Sequence, residues 1–163
     1  FLMEVNTRIQ VENGVSAAIS RVRGQAGVNL IQEQIRIGLG DPLGYSQEDI
    51  TFEGVSIEYR IIAEDTQNRF TPWAGRIERM DWNAKPWLSV HTHVPRGEVY
   101  QIPTEYDPNL ALAILWGEDL EQAKTRGLEI LESFRLEGTD GTGSTMKSNL
   151  DFLKTKTGRL LEF

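Results

Sequence analysis

Near the start of the chain, in the run FLMEVNTRIQVE, five polar residues stand at every second position: Glu4, Asn6, Arg8, Gln10 and Glu12. Extended backbone repeats its side-chain direction every two residues. A strand over residues 2–12 therefore puts all five on one face and Met3, Val5, Ile9 and Val11 on the other, core-like face. The polar face then holds two carboxylates, a guanidinium and two amides. Mg²⁺ takes oxygen ligands and is often held by only one or two carboxylates plus substrate phosphates. Glu4 and the amide oxygen of Asn6 are spaced to share one such ion. Arg8 offers a forked donor suited to a carboxylate, phosphate or bicarbonate, and Gln10 can donate to the same anion. Glu12, at the far end, is placed to act as a general base on whatever Arg8 holds. The same alternation fits a solvated strand face laced by cross-strand ion pairs, and residue chemistry alone leaves both readings open.

Other residues invite chemistry less strongly. Arg60 shares a strand face with Glu58, and a plain ion pair with Glu58 or Glu64 accounts for it. His91 and His93 stand two apart on a predicted strand, yet no carboxylate or Cys partner has metal-ligand spacing, so two exposed histidines are the expectation. The glycine-rich run EGTDGTGSTMK at 137–147 lacks the spacing of a phosphate-binding loop and reads as a flexible connector. Trp73, Trp82, Trp87 and Trp116 show no stacking platform and are expected in the core or at interfaces. Glu118, Asp119 and Glu121 open a helix, where negative charge suits the dipole.

The elements that must position these groups follow from periodicity. Residues 2–12 read as a strand, and 15–24 as mixed, broken by Gly24 and Gly27. From Val28 to Leu39 the positions Leu30, Ile31, Ile35 and Ile37 fit an amphipathic helix, stopped by Gly40-Asp41-Pro42. Residues 50–53 and 55–63 read as a hairpin about Gly54. Further strands are predicted at 75–80, 87–94, 98–102 and 110–116, and a helix from about Asp119 to Arg135. Strand, helix, many strands and helix in that order predict an α+β fold with a mainly antiparallel sheet.

The chain has 163 residues, enough for one domain-sized core. Its 17 basic against 24 acidic side chains give a net charge of −7, which argues against nucleic-acid binding. With no Cys there is no disulfide frame, thiolate metal site or thiol nucleophile. The longest apolar run, LALAILW at 110–116, is too short to span a bilayer, and a cytoplasmic location is expected. The chain opens at Phe1, without an initiator Met and inside the predicted polar strand, and reads as the C-terminal piece of a longer protein.

The run EVNTRIQVE resembles the catalytic strand of biotin carboxylases, members of the ATP-grasp superfamily, whose pattern is E-x-N-x-R-[IL]-Q-V-E-H-x-V. The match runs through Glu12 and resumes at Val15. VNLIQEQIRIGLGDPL resembles the helix after that strand, and ITFEGVSIEYRIIAED resembles the strand carrying E-x-R-I-x-A-E-D. FTPWAGRIERM resembles F-x-P-x-x-G-x-I, and IPTEYDPNLALAI resembles V-P-x-x-Y-D-S. The similarity covers roughly residues 1–135. It implies that residues 1–40 are the end of the ATP-grasp region, a strand and a helix, and that 41–163 form the C-terminal domain, a mainly antiparallel sheet with flanking helices.

By the same resemblance, Glu4 and Asn6 are ligands to the Mg²⁺ or Mn²⁺ that bridges the ATP phosphates. Arg8, Gln10 and the backbone of Val11 form the bicarbonate pocket, Glu12 deprotonates bicarbonate, and Arg60 stabilises the biotin enolate as biotin is carboxylated through carboxyphosphate. The implied partners are a biotin carboxyl carrier domain, a carboxyltransferase acting on an acyl-CoA or pyruvate, the N-terminal part of the carboxylase, and a second copy in a homodimer. An isolated fragment is expected to be inactive. Departures from the family pattern stand at Asn13-Gly14, in place of His-Pro, and at Pro108 and Leu112, in place of Ser and Lys. The Asn-Gly pair is expected to keep a tight turn. A divergent, non-catalytic assembly or dimerisation module is the alternative.

Overall fold

The computed structural model describes residues 2–105 and 107–160; Phe1, and Tyr106 of the Y-D segment, lie outside the described residues. The element order is α1 (Asn13–Ile19), β1 (Ser20–Val22), α2 (Leu30–Gly38), a 3₁₀ turn (Gln47–Asp49), β2 (Ile50–Phe52), β3 (Val55–Ile62), β4 (Glu64–Asp65), β5 (Thr71–Pro72), β6 (Arg76–Asp81), β7 (Leu88–Thr92), β8 (Tyr100–Gln101), β9 (Asn109–Gly117), α3 (Leu120–Ser133), β10 (Arg135–Thr139) and α4 (Leu150–Gly158). Every strand pair is antiparallel. The fold is α+β, as the sequence predicts.

The centre is the three-stranded sheet β3-β9-β7. Its middle strand, β9, is the near-continuous apolar run NLALAILWG, and such a run belongs where both faces are covered. On one face Tyr59 and Ile61 of β3 and Ala113 and Leu115 of β9 are buried in a core with Ala123, Ile130 and Leu131 of α3. Gly127 lets α3 come this close, since a Cβ there would stand 2.2 Å from the Tyr59 hydroxyl oxygen. Thr157 of α4, fully buried, donates its hydroxyl to that same oxygen at 2.9 Å. On the opposite face lie Glu58, Arg60, Leu112 and Ile114, in register across β3 and β9. Helix α1 covers part of this face, with Gly14 set against Ile114.

The predicted strand over 2–12 does not form. Residues 2–10 adopt no regular structure, and Val11-Glu12 lie in a turn leading into α1. The positions expected to be core-facing are exposed instead: Met3 96%, Val5 69%, Ile9 and Val11 39% each. Alternation is only a preference for a pleated, half-buried surface, and a strand needs a ladder partner. Among the described residues no strand pairs with this segment.

The hairpin predicted about Gly54 is also replaced. Gly54, at φ +75°, redirects the chain, so β2 pairs with β1 while β3 pairs with β9 over nearly its whole length. Nor does Asn13-Gly14 make the turn. The turn spans Gln10–Asn13, closed by Asn13 N–H to the Gln10 carbonyl at 3.2 Å, and Gly14 is already helical. The run at 137–147 is no free connector: it opens within β10, and Asp140 then accepts from the backbone N–H groups of Thr142 and Ser144 at 2.8 and 2.9 Å.

Candidate active site

Arg60 projects from β3 on the face opposite the core, between two carboxylates. Its Nε donates to Oε1 of Glu58 at 3.3 Å, two residues back on the same strand. Its Nη2 forms an ion pair with Oε1 of Glu12, at the N-cap of α1. The carboxylates differ in setting. The Glu58 side chain is 6% exposed and that of Glu12 52%, with the Arg60 side chain at 45%. Oε2 of Glu58 is sealed from solvent with no hydrogen-bond partner among the described residues. Glu64, the other partner considered for Arg60, stands elsewhere; burial, and then the charge of Asp107, push its carboxyl above the usual range.

The backbone beneath Arg60 is irregular. Arg60 is in register opposite Leu112, and the register of β3 against β9 shifts just beyond it, between Ile61 and Ile62, a bulge that breaks the ladder there. Asn149, just before α4 and 4% exposed, closes the gap. Its side-chain amide donates to the Arg60 carbonyl at 2.9 Å, and its side-chain oxygen accepts from Ile62 N–H at 2.9 Å. Its own N–H donates to the Ile62 carbonyl at 3.1 Å. No sequence signal marks Asn149, because the partner it serves is 89 residues away.

Of the predicted site residues, Glu12 and Arg60 are thus brought together from positions 48 apart. Glu4, Asn6, Arg8 and Gln10 are exposed in the irregular segment. Arg8 reaches only the neighbouring Ile9 carbonyl, at 3.3 Å, and the Gln10 carbonyl accepts from the Asn13 amide at 2.9 Å. Without a strand, the two-residue repeat does not align these four with Glu12. Beside Val11 and Asn13 opens a cleft of about 880 Å³ between α1, α2 and the sheet, floored by Leu112 and Ile114. Leu112 is the cross-strand neighbour of both Arg60 and His91.

The remaining candidates take structural roles. His91 is hydrogen-bonded to the Ser89 hydroxyl at 3.1 Å, and His93 packs edge-on against Tyr100 at 5.4 Å. Among the described residues no group of three or more His, Cys, Asp or Glu converges to hold a metal. Trp82 stacks on Phe134, Trp73 is buried, and Trp87 and Trp116 flank the Arg126 guanidinium. Asp119 caps α3 through the Gln122 N–H at 2.8 Å.

The chain is similar to known proteins along most of its length. Residues 58–158 match the family model for the biotin carboxylase C-terminal domain, and residues 1–46 match that for the carbamoyl-phosphate synthase L chain ATP-binding domain. It is 38% identical over 160 residues to biotin carboxylase 2, chloroplastic, of Populus trichocarpa, covering 98% of this chain and 29% of that protein. It is 32% identical over 159 residues to the mitochondrial methylcrotonoyl-CoA carboxylase subunit alpha of Mus musculus, covering 97% of this chain and 20% of that one. The biotin carboxylase domain dimer of the Hydrogenobacter thermophilus 2-oxoglutarate carboxylase, solved with MgADP, ADP and bicarbonate, superposes with a TM-score of 0.80 at 37% identity, covering 94% of this chain and 30% of that one. The chain therefore spans less than a third of the length of these relatives.

Proposed function

The chain belongs to the biotin carboxylase C-terminal domain family, and from that premise we propose that it supplies the anion-handling part of the active site in a biotin-dependent carboxylase, an ATP-dependent ligase that fixes bicarbonate onto biotin. The observation that carries this reading is the ion pair of Glu12 with Arg60, a carboxylate base and a cation brought to one point on the outer face of the central sheet. Supporting it are two solved relatives at 37% identity, one bound to MgADP, ADP and bicarbonate and the other to bicarbonate.

In this reading Arg8, Gln10 and the Val11 backbone hold bicarbonate, and Glu12 takes its proton. Deprotonated bicarbonate is then the nucleophile toward the γ-phosphate of ATP. Arg60 provides fixed positive charge where an oxyanion develops on the acceptor. Glu12 and Arg60 must separate for this, because a base already paired with a guanidinium is a weaker proton acceptor. Glu4 and Asn6 fit a Mg²⁺ or Mn²⁺ in donor chemistry: an exposed carboxylate and an amide oxygen, neither engaged by another side chain among the described residues. Such an ion would neutralise phosphate charge during transfer. Among the described residues no strand pairs with the polar segment 2–12, and its ladder partners would come from the part of the carboxylase that this chain does not span.

The alternative, a non-catalytic assembly module, is favoured by one observation: the apolar Leu112 stands cross-strand from Arg60. One substitution separates the two. In the carboxylase carrying this chain, Glu12→Gln is expected to lower biotin carboxylation by about 10²–10⁴-fold, the range for removing a positioned base, with ATP affinity unchanged. A rate equal to wild type, with assembly intact, would leave the assembly reading standing.

A further inference from the structure

Arg60 touches two carboxylates, and physical chemistry decides which of them can let go. Glu58 is almost wholly buried, and one of its oxygens already lacks a partner among the described residues. Removing the Arg60 guanidinium, its one ion-pair partner among the described residues, would leave a buried, uncompensated charge, the costlier arrangement by several-fold over an exposed one. Glu12 is half exposed, so water or another ligand can replace the guanidinium at modest cost. The two contacts also use different nitrogens, Nε for Glu58 and Nη2 for Glu12, so losing one does not require losing the other.

The backbone tells the same story. Glu58 lies on the strand that carries Arg60, so their relative position is set by β3 itself. Asn149 ties down both sides of the bulge with three hydrogen bonds. Glu12, by contrast, follows a segment with no regular structure.

We propose that Glu58 and Asn149 are positioning residues that hold Arg60 in place without help from Glu12, leaving Glu12 free to release the guanidinium and turn to a proton donor. Glu58 fixes the guanidinium through Nε, and Asn149 fixes the main chain below it. The functional meaning rests on the roles proposed for Glu12 and Arg60; the geometry does not.

The test uses the 163-residue chain itself, with the solvent exchange of the Arg60 Nε–H followed by ¹⁵N NMR. Glu12→Gln is expected to leave that exchange rate within about twofold of wild type, whereas Glu58→Gln raises it about tenfold or more, the size of one lost hydrogen bond to a charged group. Asn149→Asp, which keeps the acceptor for Ile62 N–H but loses the donor to Arg60, is expected to give an intermediate rise, and Glu58→Asp a partial restoration. Every variant is first checked for a wild-type amide spectrum away from β3; one that fails this is replaced by Asn149→Ser or Glu58→Asp as the reporting variant. Protection lost in Glu12→Gln, or kept in Glu58→Gln, overturns the proposal. The expected exchange pattern together with a Glu12→Gln carboxylase of normal rate would instead overturn the functional reading and leave the support of Arg60 standing.

Discussion

Residues 2–12 and strand β3 contribute the two halves of the candidate site, and they are built in opposite ways. Both carry alternating polar and apolar side chains. In β3 the alternation is realised: Tyr59 and Ile61 enter the core, Glu58 and Arg60 lie on the opposite face, and β9 pairs alongside. In 2–12 it is not, because no ladder is present among the described residues to turn a pattern into a face. The same sequence signal therefore yields a rigid support in one place and an exposed, irregular segment in the other. Pattern states a preference, and pairing decides whether it is expressed.

The sharpest way to break this comparison is at its rigid half. In the intact carboxylase, Arg60→Ala is expected to cut carboxyl transfer by about 10²–10³-fold, as for removal of a fixed charge from a developing oxyanion. Bicarbonate-dependent ATP cleavage, followed in parallel, is expected to fall much less; an equal fall would make the role assigned to Arg60 too narrow.

Stability offers the next contrast. Ile61→Ala removes a side chain with no exposed surface and is expected to cost about 2–5 kcal/mol. Met3→Ser, at 96% exposed, is expected to stay within about 0.5 kcal/mol of wild type. Urea midpoints of the two variants measure this directly, and similar shifts would mean that 2–12 is packed in solution.

The smallest effect concerns pH. The Arg23 guanidinium and the Ser46 N–H hold the Asp49 carboxyl below its usual value. A carboxyl depressed in the folded state stabilises it above the unfolded pKa of about 3.9, and this contribution disappears as pH falls through the lower folded value. Wild type should therefore lose more stability than Asp49→Asn on acidification from about pH 4 to pH 2, read as the shift in urea midpoint. Parallel curves would remove Asp49 from the acid response.

Local periodicity made much of the fold legible. Helices α2 and α3 and strands β3 and β9 carry their periods within a few turns or a few pleats, so no distant partner is needed to see them. What escaped was chosen by tertiary contact. β2 reads as half of a hairpin with β3, yet pairs with β1 once Gly54 redirects the chain. β10, RLEGT, runs into the Gly- and Thr-rich stretch 137–147 and is a strand because β6 lies beside it. α4 mixes Lys and Thr with apolar residues and is anchored by Thr157 against Tyr59. At the site, family resemblance singled out Glu12 and Arg60 one by one, but nothing in the sequence paired them; their meeting across 48 positions is a tertiary contact. The buried setting of Glu58 and the role of Asn149 had no local signature.

The bond from Asn149 to the bulge has a consequence in time. Arg60 is synthesised 89 residues before the residue that secures its main chain. A nascent chain can assemble β3 and β9 on the ribosome and still hold its key cation on an unfastened strand. The candidate site is completed only when the segment leading into α4 emerges and docks, so a lesion in that far segment would appear as a maturation defect of the Arg60 support.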